Sequence, residues 1–257
     1  MLIIGGSGLL GRELVRQSLA AGKEVAATYL TRPAELAASW HPLDLRDRDA
    51  VADLMRVVRP NVVINAAFQQ YDWSSTADGA AHLALAAAGT RFVHVSSDAV
   101  FSGEAVHYDE TAMPDPITPY GAAKAAAETA IKAIAPSAVI ARTSLIIGGG
   151  ASQHERRVSA GGEFFVNDIR CPVHVTDLAA ALLELADSDH AGIHHVAGTD
   201  AISRYELGRL IAERDGLDPA RLRSGRRVIG PFDVRLDCAC TQRKLRTRLR
   251  GAREFLG

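Results

Sequence analysis

Tyr120 and Lys124 lie one helical turn apart in the stretch Thr118-Pro119-Tyr120-Gly121-Ala122-Ala123-Lys124. Thr118 suits a helix N-cap and Pro119 a first helical position, which puts the phenol and the amine on one face. The chain has only four lysines, Lys23, Lys124, Lys132 and Lys244, so the pairing is uncommon by chance. An ordinary surface pair is the alternative reading. Ser96-Ser97-Asp98, at the end of an apolar run, adds a hydroxyl. A phenol ordinarily keeps its proton to about pH 10, and a nearby ammonium lowers that value. Tyr120 could then give a proton to an alkoxide as it forms. Ser97 would hydrogen-bond the same oxygen. The set suits reduction of a small-molecule carbonyl by hydride from a nicotinamide.

The first residues supply a place for such a cofactor. Met1-Leu2-Ile3-Ile4 runs into Gly5, Gly8 and Gly11, and a helix follows with Leu10, Leu14, Val15 and Leu19 on one face and Gly22 as its stop. A strand, a glycine turn and a helix N-terminus form a pyrophosphate site: Gly5 allows the turn, Gly8 the approach of the phosphates, Gly11 close helix packing. A tight turn that binds nothing is the alternative. The second strand spans Glu24 to Leu30. Near Tyr29, where an NAD site usually carries a carboxylate for the ribose, no acid occurs before Glu35. Arg32 stands just beyond, either as a clamp for a 2′-phosphate or as a surface arginine. The expected cofactor is therefore NADPH, with NADH the other option.

Further elements alternate regularly. Trp40 to Leu43 reads as a strand ending at Asp44. Asp47 caps a helix carrying Val51, Leu54, Met55 and Val58 and closed by Pro60. Asn61 to Ala67 is a fourth strand whose β-branched run suits a parallel sheet, with Asn65, Ala66 and Ala67 at its end leaving room for a cofactor. Ser75 and Asp78 are expected to start an alanine-rich helix ending at Gly89, and Arg91 to Ser96 forms the fifth strand. This is a doubly wound α/β fold of Rossmann type. Gly5, Tyr29, Asp44, Ala66 and Ser96 all fall on the edge where such sheets bind ligands.

Other classes are disfavoured. A net charge of -1 offers nothing to nucleic acid or an acidic membrane. Cys171, Cys238 and Cys240 have no metal-ligand spacing, and His194-His195 in a strand point to opposite faces. No metal site is expected. No signal-like or transmembrane-length apolar run occurs, which suggests a soluble cytoplasmic protein. The basic stretch from Arg243 to Arg253 reads as a solvated helix face.

Gly5-Gly6-Ser7-Gly8-Leu9-Leu10-Gly11, Asn65-Ala66-Ala67, Ser97-Asp98-Ala99-Val100-Phe101, Tyr120-Gly121-Ala122-Ala123-Lys124, Arg142-Thr143-Ser144 and Arg235-Leu236-Asp237 resemble the extended short-chain dehydrogenase/reductases. Within them the chain is most similar to the dTDP-4-dehydrorhamnose reductase branch. The resemblance implies that Ser97, Tyr120 and Lys124 are catalytic and that Lys124 also holds the nicotinamide ribose. It implies cofactor contacts at Gly5, Ser7, Gly8, Leu9, Leu10, Tyr29, Arg32, Asp44, Leu45, Asn65, Ala66, Ala67, Ser96, Tyr120 and Lys124. Substrate contacts are implied at Asp98, Val100, Phe101 and Arg170, a structural ion pair being the other reading of Arg170. The branch reduces the 4-keto group of a nucleotide-activated deoxysugar, and the substrate expected here is such a ketone or a related natural-product carbonyl. A non-catalytic regulatory subunit and an NAD-dependent sugar-nucleotide epimerase are the alternatives.

Residues 1–147 are read as the dinucleotide-binding domain, and 148–257 as a small substrate lobe mixed with the last elements of the main sheet. In the second part, Ala138 to Ile147 reads as one sixth strand. Gln153 to Val158 suits a helix and Glu163 to Val166 a strand. Thr176 or Asp177 starts a helix, Ile193 to Ala197 is a strand, and Ser203 with Glu206 forms a capping box. Gln70, Tyr71 and Trp73 either face the substrate or cover a shortened loop. For assembly, a homodimer is the option considered.

Overall fold

Leu2-Ile3-Ile4 forms an interior strand of the main sheet, and the computed structural model describes all 257 residues. Seven strands make one parallel sheet: β1 (Leu2–Ile4), β2 (Ala26–Tyr29), β3 (Ser39–Pro42), β4 (Val62–Asn65), β5 (Arg91–Ser97), β6 (Val139–Thr143) and β7 (Gly192–His195). Their spatial order is β7-β6-β5-β4-β1-β2-β3, the doubly wound arrangement expected. The order reverses between β1 and β4, where a crevice opens beyond the carboxyl ends of the strands.

Strand alternation sorts the side chains onto two faces. Ile3, Ile64, Val93 and Val139 meet α1 (Leu9–Ala20) and α6 (Val175–Ala186). Leu2, Ile4, Val63, Phe92 and Ile140 meet α2 (Arg48–Val58), α3 (Gly79–Ala86) and α4 (Pro119–Ile134). Both faces are covered, as a parallel sheet requires. A third, smaller core joins Val158 of α5 (Gln153–Ser159) and Phe164 to Leu207 and Ile211 of α7 (Arg204–Arg214).

Several boundaries differ from the sequence reading. The alanine-rich segment is capped by Asp72, not Ser75: the Asp72 carboxylate accepts from the Ser75 amide (3.1 Å) and hydroxyl (2.9 Å). A π-helical turn over Ser74–Asp78 then leads into α3. Arg59, in a left-handed conformation, closes α2 before Pro60 is reached. The expected sixth strand breaks after Thr143, where the Ser144 hydroxyl donates to Asp98 Oδ2 (2.6 Å) and draws the chain off the sheet. Ile146–Ile147 then pairs with Val173–His174. α6 starts at Val175, because His174 Nδ1 accepts from the Thr176 amide. Only half of the capping box at Ser203 forms: its hydroxyl accepts from the Glu206 amide, but the Glu206 carboxylate turns to Arg253. The basic stretch is irregular up to Gly251, and among its charges Arg250 pairs with Asp177 (2.8 Å) and Arg253 with Glu206 (2.6 Å).

α4 matters most for function, and two contacts fix it. Its first turn lies so close to the turn after β5 that a Cβ at Gly121 would collide with the Ala99 carbonyl oxygen. One turn beyond Lys124, Glu128 accepts from Ser96 Oγ of β5 (2.6 Å) and pairs with Arg142 of β6 (2.8 Å). Glu128 and Arg142 are each 1 % exposed. Removing one partner of a buried pair strands the other charge. We predict that Glu128→Ala lowers unfolding stability by about 3–5 kcal/mol in urea titrations, and that the double variant Glu128→Leu/Arg142→Met loses less.

Candidate active site

One cavity of about 720 Å³ opens at the carboxyl edge of the sheet. The start of α1 contributes Gly8, Leu9, Leu10 and Gly11 to its wall; Ala66 and Phe68 follow β4, Ser96 and Ser97 end β5, and Tyr120 and Lys124 come from α4. The N-terminus of α1 has no side-chain cap and no acid in its first turn. Its amides therefore remain available to an anion. Gly5 adopts φ +75, its amide donates to Thr28 Oγ1 (2.9 Å), and a Cβ at Gly11 would collide with the Gly5 carbonyl oxygen. This end of the cavity fits a dinucleotide pyrophosphate.

The three residues expected to act together do meet in this cavity. Ser97 Oγ donates to Asp98 Oδ1 (3.2 Å) and accepts from the Ala99 amide (3.2 Å). Lys124 is buried, and its Nζ donates to the Val95 carbonyl (2.9 Å). Burial lowers the ammonium pKa to about 8, with Glu128 acting in the opposite sense. The phenol of Tyr120 departs from expectation. Burial, and then the negative charge of Asp98, push it above the ordinary phenol range, and contact with Ser97 only partly opposes them. The ammonium does not make Tyr120 a phenolate here; the phenol keeps its proton at neutral pH.

Other expected residues divide. Asp98 and Arg170 line the cavity. Arg170 is also an ion-pair residue, its Nη1 3.0 Å from Asp168 and its Nε 3.6 Å from Asp98. Val100 and Phe101 are corrected from substrate contacts to core residues: both are 0 % exposed, and Phe101 stacks on Tyr108 at 4.0 Å. Ala66 and Ser96 reach the cavity, although the Ser96 hydroxyl is spent on Glu128. The Asn65 side chain is turned inward, its Nδ2 3.2 Å from His94 Nδ1 and its Oδ1 accepting from the Ala67 amide. Leu45 packs in the core, its carbonyl 3.1 Å from His82 Nδ1. Tyr29 ends β2, Arg32 and Asp44 follow β2 and β3, and all three lie outside the wall of this cavity. Tyr29 packs against Trp40, Arg32 is exposed, and the Asp44 carboxylate is held by Arg46 (2.6 Å). Ser7 and Ala67 are half-buried beside the glycine turn.

Sequence reading missed much of the opposite wall. His154, Arg156, Arg204 and Arg227 line the cavity. Asp168 is fully buried and holds Arg170, Arg204 (2.7 Å) and Arg227 (2.6 Å). Burial, and then Arg204, keep His154 neutral, with a pKa lowered to about 3. The wall therefore carries more positive than negative charge. Its arginines stand far apart in sequence without a common motif. Phe68 was also missed, although it directly follows the Asn65-Ala66-Ala67 stretch.

The family model for the RmlD substrate binding domain matches residues 1–228. A dTDP-4-dehydrorhamnose reductase of Mycobacterium tuberculosis is 34 % identical over 248 residues, covering 87 % of this chain and 78 % of its own. A crystal structure described as a hypothetical dTDP-4-dehydrorhamnose reductase from Sulfolobus tokodaii superposes with a TM-score of 0.86 at 31 % identity, over 97 % of this chain and 96 % of that one. The dTDP-4-dehydrorhamnose reductase of Bacillus anthracis in complex with NADP shares the fold, with a TM-score of 0.85 at 21 % identity over 99 % and 96 %.

The buried ammonium has a consequence for stability. Its folded pKa, about 8, lies below the ordinary lysine value of 10.5, so the unfolded chain binds more protons between these values and stability gains as pH rises through them. We predict that the stability difference between the wild type and Lys124→Met moves in favour of the wild type from pH 7 to pH 10. Guanidinium midpoints at the two pH values check it.

Proposed function

The chain belongs to the RmlD substrate binding domain family, and from that premise we propose that it is an NADPH-dependent reductase of a nucleotide-activated 4-keto-deoxysugar. The observation that carries the reading is the meeting of Ser97, Tyr120 and Lys124 in one cavity with the uncapped N-terminus of α1. That intact group favours an enzyme over a non-catalytic subunit. In this scheme residues 1–147 hold the dinucleotide, and residues 148–257 bring the arginines that face the substrate along with the last elements of the sheet.

The residues divide the work. The α1 amides hold the pyrophosphate, and Arg32 meets the 2′-phosphate that distinguishes NADPH. Arg204 and Arg227 draw the diphosphate of the substrate to their wall. The Ser97 hydroxyl turns its proton from Asp98 to the ketone oxygen and fixes the carbonyl. A nicotinamide held beside Lys124 would supply hydride chemistry at the carbonyl carbon. Tyr120, protonated at neutral pH, gives its proton to the oxygen as negative charge gathers there. The Lys124 ammonium, on the same helix face, stabilises the phenolate left behind. Hydride and proton together convert the ketone to a secondary alcohol.

The purified protein is expected to oxidise NADPH when supplied with dTDP-4-dehydrorhamnose or a related dTDP-4-keto-6-deoxysugar; absence of turnover across a panel of such ketones refutes the reading. Tyr120→Phe should lose about 10²- to 10⁴-fold in kcat while its NADPH affinity holds, as measured by cofactor fluorescence. In the same titration, Arg32→Ala should weaken NADPH about 10-fold and leave NADH unchanged, since only the former carries the phosphate.

A further inference from the structure

Phe68, Tyr71 and Trp73 line the cavity from a single segment and stay 54 %, 96 % and 50 % exposed. Leaving aromatic area in water forgoes the stabilisation that burial brings. The segment is held in this form. Asp72 caps the following helix through Ser75, and Thr76 Oγ1 donates to the Gln69 carbonyl (2.8 Å) while accepting from its amide (3.1 Å). The helix opens with the π-helical turn at Ser74–Asp78, a geometry that recurs beside functional sites. The wall adjoins the reacting groups: the Phe68 ring lies 5.8 Å from that of Tyr120, and Lys124 Nζ is 5.7 Å from its centroid.

We infer that Phe68, Tyr71 and Trp73 form the specificity wall for the sugar ring that carries the ketone. This rests on the ketosugar reading and assigns the end of the cavity that reading leaves open. A 6-deoxypyranose has an apolar C–H face and a methyl group, which match the negative face of an aromatic ring. Its charged diphosphate belongs with Arg204 and Arg227. An acyclic ketone covers little of the wall and is discriminated against.

In steady-state assays, Tyr71→Ala and Trp73→Ala should each raise KM for dTDP-4-keto-6-deoxyglucose about 3- to 10-fold. The KM for NADPH should hold, and the kcat/KM advantage over 2-butanone should shrink by the same factor. Trp73→Phe should restore the wild-type values. A second arm needs no turnover: dTDP-glucose should quench tryptophan fluorescence in the wild type and fail to do so in Trp73→Phe. Unchanged KM in both alanine variants, or an equal rise for NADPH, overturns the wall and leaves the reduction intact. Quenching without reduction of any ketosugar overturns the proposed function and leaves the wall. Absence of both quenching and a KM effect removes the wall.

Discussion

The contact on which the active site depends is the buried pair of Glu128 and Arg142, with Ser96 as its third member. Tyr120, Lys124 and Glu128 recur at four-residue intervals on α4, so they share one face. Anchoring the last of them to β5 and β6 fixes the azimuth of the other two. The helix is thereby aimed by a charge-assisted lock between buried side chains, where the alternative is an unpaired ion. Apolar packing through Ala127 and Ile131 would hold α4 against the sheet but would tolerate rotation. The ion pair removes that freedom, and the phenol and ammonium are delivered to the mouth of the glycine turn.

The same logic appears on the substrate side in looser form. Asp168 is an anion with no exposure that gathers three arginines from different segments, and Arg170 reaches on to Asp98 beside Ser97. The cationic wall is thus built around a carboxylate at its centre, which spaces the guanidinium groups and limits their mutual repulsion. The resulting surplus of positive charge faces the cavity, next to the hydroxyl that would engage a ketone.

What could be read from the residues was what is local. The glycine turn, the strand–helix alternation and the spacing of Tyr120 and Lys124 are encoded within a few positions each, and periodicity exposes them. Features that depend on distant partners stayed hidden. Phe101 looks like a site residue beside Ser97, yet the core takes it because Tyr108 stacks on it. Ser75 looks like a cap, but Asp72, three residues earlier, reaches its amide first. Arg204 and Arg227 bear no mark until the fold carries them to Asp168. The direction of the Tyr120 shift was missed for the same reason: the ammonium is adjacent in sequence terms, but burial and Asp98 decide the balance.

The close approach of Gly121 to Ala99 also bears on how such a molecule can diverge. Because no side chain fits at position 121, the junction between the end of β5 and the start of α4 admits almost no drift. Insertions or replacements there would displace Tyr120. The rim segment bearing Tyr71 and Trp73 meets no such obstacle: both side chains reach solvent, so their size can change without shifting α4 against the sheet.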